Sequence, residues 1–185
     1  MTIPFKSYKE INPLDSRNVI NKYKGLSNEE IKANVKNNSL PFAVLMFNLV
    51  QDFNFGSVIR SANALGAREV FYFGEKKFDR RGATGTYKYI DVHYLSSYGE
   101  FLNLKNEYSF VALEQNEKSI MLHKFDWKTS KKPLILIGEE NCGLSSDIIE
   151  ICDHIVEIPQ RGSVRSINAA VAASICMFDF ASKYQ

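Results

Sequence analysis

The sequence predicts an α/β fold, a mostly parallel sheet between helices, on three observations. FAVLMFNLV at 42–50 is a continuous apolar run of strand length, and strands buried on both faces belong to parallel sheets covered by helices. Short apolar runs then alternate with helical patterns along the chain. Finally, PLILIG ends at Gly138, HIVEIP ends at Pro159, and a helical pattern opens at Ser166 and Asn168. Two strand ends and one helix start are thereby brought together, which is how α/β proteins build a ligand crevice at the carboxyl ends of their strands.

The elements follow in order. Residues 1–40 are polar and lysine-rich, with Ser16 ahead of RNVINKYK and Gly25 behind it predicting one short helix, and Ser27 with Glu30 at capping-box spacing before Ile31 predicting another. So little apolar surface makes this stretch a helical extension packed on a main domain of 41–185. After the first strand, 54–65 carries Val58, Ile59, Ala62 and Leu65 on a helix that Gly66 ends. Strands are predicted at 68–74, 90–95, 108–114, 133–138 and 154–159, with helical patterns around 98–106 and 144–151. The loop EKKFDRRGATGTYKY mixes charge, glycine and tyrosine and is read as unable to pack a core. A last helix spans about 166–183, with Ile167, Val171, Ile175 and Phe178 at helical spacing and an AAVAAS stretch that admits another backbone closely.

At 185 residues with 45% hydrophobic content, the chain suits one domain with a sizeable core. A net charge of +2 does not by itself require a nucleic-acid partner, so any such argument rests on particular residues. Cys142, Cys152 and Cys176 form no C-x-x-C pair and read as free thiols of a reducing cytoplasm. His93, His123 and His154 lack metal-ligand spacing, so no metal is expected. No apolar run approaches the roughly 18 residues that span a bilayer, and the N-terminus lacks a signal-type apolar stretch. A cytoplasmic protein without membrane attachment is the expectation.

A dinucleotide site of the Rossmann kind would place a glycine-rich turn directly after the first strand, whereas QDFNFG offers a single glycine. NFGSVIRSANALG carries a different signal. Asn54 stands at a helix start, Gly56 lets a backbone or a ligand come close, and Arg60 follows within two turns. Taken singly, Asn54 is a cap and Arg60 a solvated side chain.

Together these residues resemble the first motif, N-x-G-x-x-x-R, of the SpoU/TrmH family of SPOUT-superfamily RNA methyltransferases. GEENCGL at 138–144 resembles the second motif through Glu140, Gly143 and Leu144, and IPQRGSVRSINAAVAAS resembles the third through Gly162, Ser166 and Asn168. The resemblance covers roughly 42–185. It implies a C-terminal trefoil knot, an exception to the rule that chains avoid knots. It also implies a homodimer in which the donor site of one subunit lies near the other, and an S-adenosyl-L-methionine site made of Ile137, Gly138, Glu140, Gly143, Ile158, Gln160, Gly162, Ser166, Ile167 and Asn168.

The implied reaction is methyl transfer to a ribose 2′-hydroxyl of tRNA or rRNA, with Arg60, Asn54, Glu140, Ser166 and Asn168 as the functional set. A guanidinium seldom surrenders its proton, so Arg60 is read as clamping a phosphate and stabilising the developing oxyanion, oriented by Asn54. Glu140 is read as ordering the motif loops. Lys76, Lys77, Arg80, Arg81 and Lys88 suit RNA phosphates, and Tyr87 or Tyr89 suits stacking on a splayed base. The Gln160 and Arg165 pair resembles relatives acting on tRNA, which favours tRNA over rRNA. Three other readings stand beside this one: a base methyltransferase, against which Asn54 and Arg60 argue, an RNA-binding or ribosome-assembly module of the same fold without turnover, and a small α/β protein binding some other nucleotide.

Overall fold

The computed structural model describes residues 15–47, 52–74, 80–139 and 142–184. Seven strands form one sheet in the order β3-β2-β1-β6-β4-β7-β5, and every pairing is parallel. They are β1 (Ala43–Phe47), β2 (Glu69–Phe73), β3 (Asp91–Leu95), β4 (Ser109–Leu113), β5 (Ile120–Met121), β6 (Pro133–Ile137) and β7 (His154–Glu157). The six predicted strands are present, and the two-residue edge strand β5 is an addition that its length hid from periodicity.

Alternation along β1 shows why its run is apolar throughout. Val44 and Met46 enter one core, with Val58, Ile59 and Ala62 of helix α2 (Asp52–Ala64) and Ala173, Met177 and Phe180 of helix α5 (Ala169–Lys183). Ala43, Leu45 and Phe47 enter the opposite core, with Phe101 of helix α3 (Tyr98–Asn103) and Ile148 of helix α4 (Ser146–Glu150). Each fully buried side chain of this size contributes about 1.5–3 kcal/mol, so a strand buried on both faces is held from two sides.

Helix α1 (Asn28–Asn37) has the predicted capping box: Glu30 N–H donates to Ser27 Oγ and Ser27 N–H to Glu30 Oε2. Its Ile31 is buried, and Lys32 and Lys36 pair with Asp91 of β3 at 2.6 and 2.8 Å. The other predicted N-terminal helix is a correction, because only a 3-10 turn forms at Asn21–Tyr23. Asp15 draws this segment into a loop instead, accepting from Gly25 N–H and from Arg17, whose guanidinium also donates to the Leu26 carbonyl.

One further expectation changes, and the facing of α5 is settled. The loop after β2 does pack: Ala83, Thr86, Tyr89 and Ile90 are buried, around a 3-10 turn at Thr86–Lys88. On α5 the stripe Val171, Ile175 and Phe178 is the exposed one, while Ala170, Ala173, Cys176, Met177 and Phe180 face the sheet. Small residues on the inner face let α5 lie against α2, where Ser174 Oγ and Ser61 Oγ are 2.8 Å apart.

Candidate active site

A cavity of about 670 Å³ opens at the carboxyl ends of β4, β6 and β7, where Leu113, Ile137 and Glu157 end their strands. Of the residues expected to hold a donor, Ile137, Gly138, Gly143, Ile158, Gln160, Ser166, Ile167 and Asn168 line it. Glu140 lies outside the described residues. Gly162 is not among the lining residues; it is exposed, and a Cβ there would meet nothing within 4 Å.

The second motif is folded tightly by its glycines. A Cβ on Gly138 would come within 2.3 Å of the Gly143 carbonyl carbon, and one on Gly143, already at φ 66°, within 2.3 Å of Glu114 Oε2. Glu139 and Gly143 exchange backbone hydrogen bonds of 3.2 and 3.0 Å, and Leu144 N–H donates to Glu114 Oε2 at 2.9 Å. Glu114 thus fastens the second motif to the end of β4. Sequence reasoning missed it, along with Gln115, whose side chain donates to the Arg165 carbonyl at 3.0 Å and so ties β4 to the third motif. Both directly follow β4, so the strand-end rule that pointed to Gly138 and Ile158 would have found them.

The first and third motifs meet through their asparagines. Asn168 caps α5, its Oδ1 accepting from Ala170 N–H at 3.0 Å and Val171 N–H at 3.2 Å, while its Nδ2 donates to Asn54 Oδ1 at 2.9 Å. Asn54 is buried in the first turn of α2. It therefore orients Asn168 rather than Arg60, which stands six residues on and about 240° around the helix. Arg60 is exposed, lines no wall of the cavity and has no hydrogen bond or ion pair to another described residue.

Gly56 has a different task from ligand approach. A Cβ on it would fall 2.5 Å from Ala83 N, and one on Gly82 would fall 2.8 Å from the Phe53 carbonyl, so the helix and the basic loop touch backbone to backbone. That contact brings Arg81 over the Phe53 ring and Arg80 over the Tyr87 ring, each at 5.0 Å. Lys88 is exposed beside them, Tyr89 is buried and unavailable for stacking on a base, and Lys76 and Lys77 lie outside the described residues.

The cavity carries one unfilled demand. Gln160 Oε1 is buried without a hydrogen-bond partner among the described residues, between walls that include Ile137, Ile158 and Ile167. A buried acceptor of this kind is costly unless a donor reaches it. A flat heteroaromatic group bearing an amino group fits apolar walls and a lone acceptor, as adenine does. Among the described residues no group of three or more His, Cys, Asp or Glu is placed to hold a metal ion, and no helix is long and apolar enough to cross a membrane.

Comparison with known proteins places this geometry. The model of the SpoU rRNA Methylase family matches residues 41–178. The chain is 32% identical over 135 residues to a 23S rRNA (uridine(2479)-2′-O)-methyltransferase of Streptomyces viridochromogenes, covering 68% of this chain and 47% of that protein. It is 27% identical over 138 residues to the tRNA (guanosine(18)-2′-O)-methyltransferase of Aquifex aeolicus, covering 71% and 64%. The match thus spans less than two thirds of either relative. Among solved structures, the methyltransferase AviRb of S. viridochromogenes in complex with AdoMet superposes with a TM-score of 0.68 at 30% identity, over 79% of this chain and 58% of that one. The A. aeolicus TrmH/SpoU tRNA modifying enzyme shares the fold, with a TM-score of 0.73 at 22% identity over 84% and 83%. With the second and third motifs lining one crevice, the first joined to it through the bond between Asn54 and Asn168, and a family match across most of its length, the chain belongs to the SpoU rRNA methylase family.

Proposed function

We propose that this protein transfers a methyl group from S-adenosyl-L-methionine to a ribose 2′-hydroxyl of tRNA or rRNA, with tRNA the preferred substrate. The observation that carries the reading is the strand-end cavity lined by the second and third motifs, with Gln160 Oε1 buried and unpartnered inside it. Bound there, the donor would supply an activated sulfonium methyl for the ribose oxygen, with S-adenosylhomocysteine as the leaving group and the hydroxyl proton passing to water. Gln160 would accept from the adenine amino group, and Ile137, Ile158 and Ile167, which line the same cavity, would hold the ring. Gly138 and Gly143 keep the second motif folded against β4, while Ser166 and Asn168 stand at the cavity wall near the start of α5. Arg60 clamps a substrate phosphate and stabilises the negative charge that develops on the ribose oxygen. Arg80, Arg81, Tyr87 and Lys88 extend the RNA surface from the loop fixed at Gly56; we assign Lys76 and Lys77 to the same surface by their place in that loop, and Glu140 to ordering the motif loops at the donor site by its place in the second motif.

The protein acts as a homodimer in this proposal. Val171, Ile175 and Phe178 form an exposed apolar stripe on α5 that borders a depression reaching Asn54 and Asn168. A second copy seated there brings its own residues to the cavity mouth, and Arg60, absent from the cavity of its own chain, acts in that of the other. The C-terminal trefoil knot, the division into an extension of 1–40 and a methyltransferase domain of 41–185, and a cytoplasmic location complete the reading; the start of the family match at residue 41 supports the division.

The test is transfer of label from S-adenosyl-L-methionine to unmodified total tRNA and rRNA, followed by digestion to nucleosides, with Arg60→Ala beside the wild type. Label in 2′-O-methylated nucleosides that falls at least about a hundredfold in Arg60→Ala is expected for loss of a group that stabilises transition-state charge. Label on a base would replace the ribose assignment, and RNA binding without label on either RNA would favour the non-catalytic module.

A further inference from the structure

A second cavity, of about 520 Å³, lies between the 3-10 turns that follow β5 and the end of α5. It shares no lining residue with the donor cavity. The two sit at opposite ends of α5, Asn168 at one and Phe180 at the other, about 18 Å apart at 1.5 Å per residue. Nothing in the proposed reaction uses it.

Its walls combine three features. Tyr184 is 47% exposed and its ring stacks on Phe180 at 5.4 Å and 24°, so one face is covered and the other is open. Lys124, Lys128 and Lys131 are exposed on the rim and form no ion pair among the described residues. The other charges nearby are engaged: Lys183 pairs with Asp179 at 2.9 Å and donates to the Leu122 and Phe125 carbonyls, while Asp126 accepts from Lys128 N–H. Ser130, finally, lines the cavity and is 5% exposed, and its hydroxyl is buried with no hydrogen-bond partner among the described residues. A buried hydroxyl with no partner is exceptional and points to a group that arrives from outside.

An open aromatic face, cations without partners and a waiting hydroxyl are the parts of a nucleotide site: a base stacks, phosphates are neutralised, and a polar edge or sugar hydroxyl is read. We propose that this cavity holds a nucleotide of the substrate RNA, anchoring the molecule at a distance from the reacting ribose. The base extends the Phe180–Tyr184 stack, Lys128 and Lys131 hold flanking phosphates, and Ser130 bonds the base edge or the ribose. The inference rests on the RNA reading above but not on methyl transfer itself.

The test titrates unmodified total tRNA and rRNA against the full-length protein over a salt series. In Lys128→Gln/Lys131→Gln the slope of log affinity against log salt falls by about 1.5, as two lost phosphate contacts require. Tyr184→Ala weakens binding about tenfold while Tyr184→Phe restores it, since stacking needs the ring alone. Ser130→Ala weakens binding severalfold with no fall in the unfolding midpoint, an outcome a purely structural serine would not give. Wild-type RNA affinity and slope in all of these variants would overturn the proposal, as would binding of free AMP or GMP that leaves RNA affinity untouched. Weakened RNA binding in these variants from a protein that transfers no methyl would retain the anchor and remove the enzymatic reading. Methyl transfer by the wild type with unchanged binding in the variants would do the reverse.

Discussion

One side-chain amide, that of Asn168, joins the N-terminus of α5 to the N-terminus of α2 by accepting two backbone hydrogen bonds and donating one to Asn54. Asn168→Ala removes a helix cap, a loss of about 1 kcal/mol. Asn54→Ala leaves the Asn168 amide without its acceptor and costs about 1–3 kcal/mol. Because the two share a bond, denaturant unfolding of both single variants and the double variant should show a coupling above about 0.5 kcal/mol, and additive losses would mean that the bond contributes nothing. Gln160→Leu makes a complementary case. It removes a buried acceptor that has no partner among the described residues, so the free protein should unfold no earlier than the wild type, while calorimetry should show donor affinity down about tenfold, in line with the loss of one hydrogen bond. Cysteine reactivity gives a third reading at this scale. Burial pushes the Cys152 thiol up to about 12 and raises Cys176 as well, whereas Cys142 is exposed on the cavity wall. Maleimide labelling followed by peptide mass spectrometry should therefore mark Cys142 first, and S-adenosyl-L-methionine should slow that labelling.

At the scale of elements, helix α1 is held to the sheet by Asp91. Desolvation alone would push the Asp91 carboxyl up, but hydrogen bonds from Lys32 and Lys36 outweigh it and hold the group down to about 2. A carboxylate whose folded pKa lies below its unfolded value of about 3.9 stabilises the fold above that value and loses the contribution as pH falls toward the folded one. The α1 amides should thus keep their hydrogen-exchange protection at pH 5 and lose it first between pH 4 and 2, and Asp91→Asn should flatten that dependence at a cost of no more than about 1 kcal/mol at pH 7, the scale of a half-exposed pair. The elements also show what could be read in advance. The apolar runs of β1, β4 and β6 and the capping box of α1 are local patterns, and they stand where the sequence put them. The facing of α5 was not legible. Its sequence is apolar all round, so spacing alone offers two stripes, and only packing against α2 decides that the one with alanines turns inward. The same holds at the site. Gly138, Gln160 and Asn168 were visible as strand-end and motif positions, whereas the bond between Asn54 and Asn168 spans 114 residues and exists only once the sheet has brought α2 and α5 together.

For the whole molecule, the outer stripe of α5 sets a prediction about assembly. Phe178 is 62% exposed, Val171 50% and Ile175 39%, and Phe53 on α2 is 55% exposed. An exposed apolar stripe along one helix face is the kind of surface that marks a protein–protein contact, and in the proposed homodimer a second copy covers it with two-fold symmetry. Phe178→Glu should convert a dimer into a monomer in sedimentation equilibrium while leaving the core, which Phe178 does not enter, folded. The placement of Arg60 then makes a sharper claim, because it lies outside the cavity formed by its own chain. If Arg60 serves the cavity of the other subunit, Arg60→Ala and Asn168→Ala are each inactive alone, yet a mixed dimer has one cavity in which both residues are intact. After unfolding and refolding the two variants together in equal amounts, half of the dimers are mixed and half of their cavities are competent, so methyl transfer should return to about a quarter of the wild-type rate. Were Arg60 to act on the cavity of its own chain, every cavity in every dimer would carry one lesion or the other, and mixing would restore nothing.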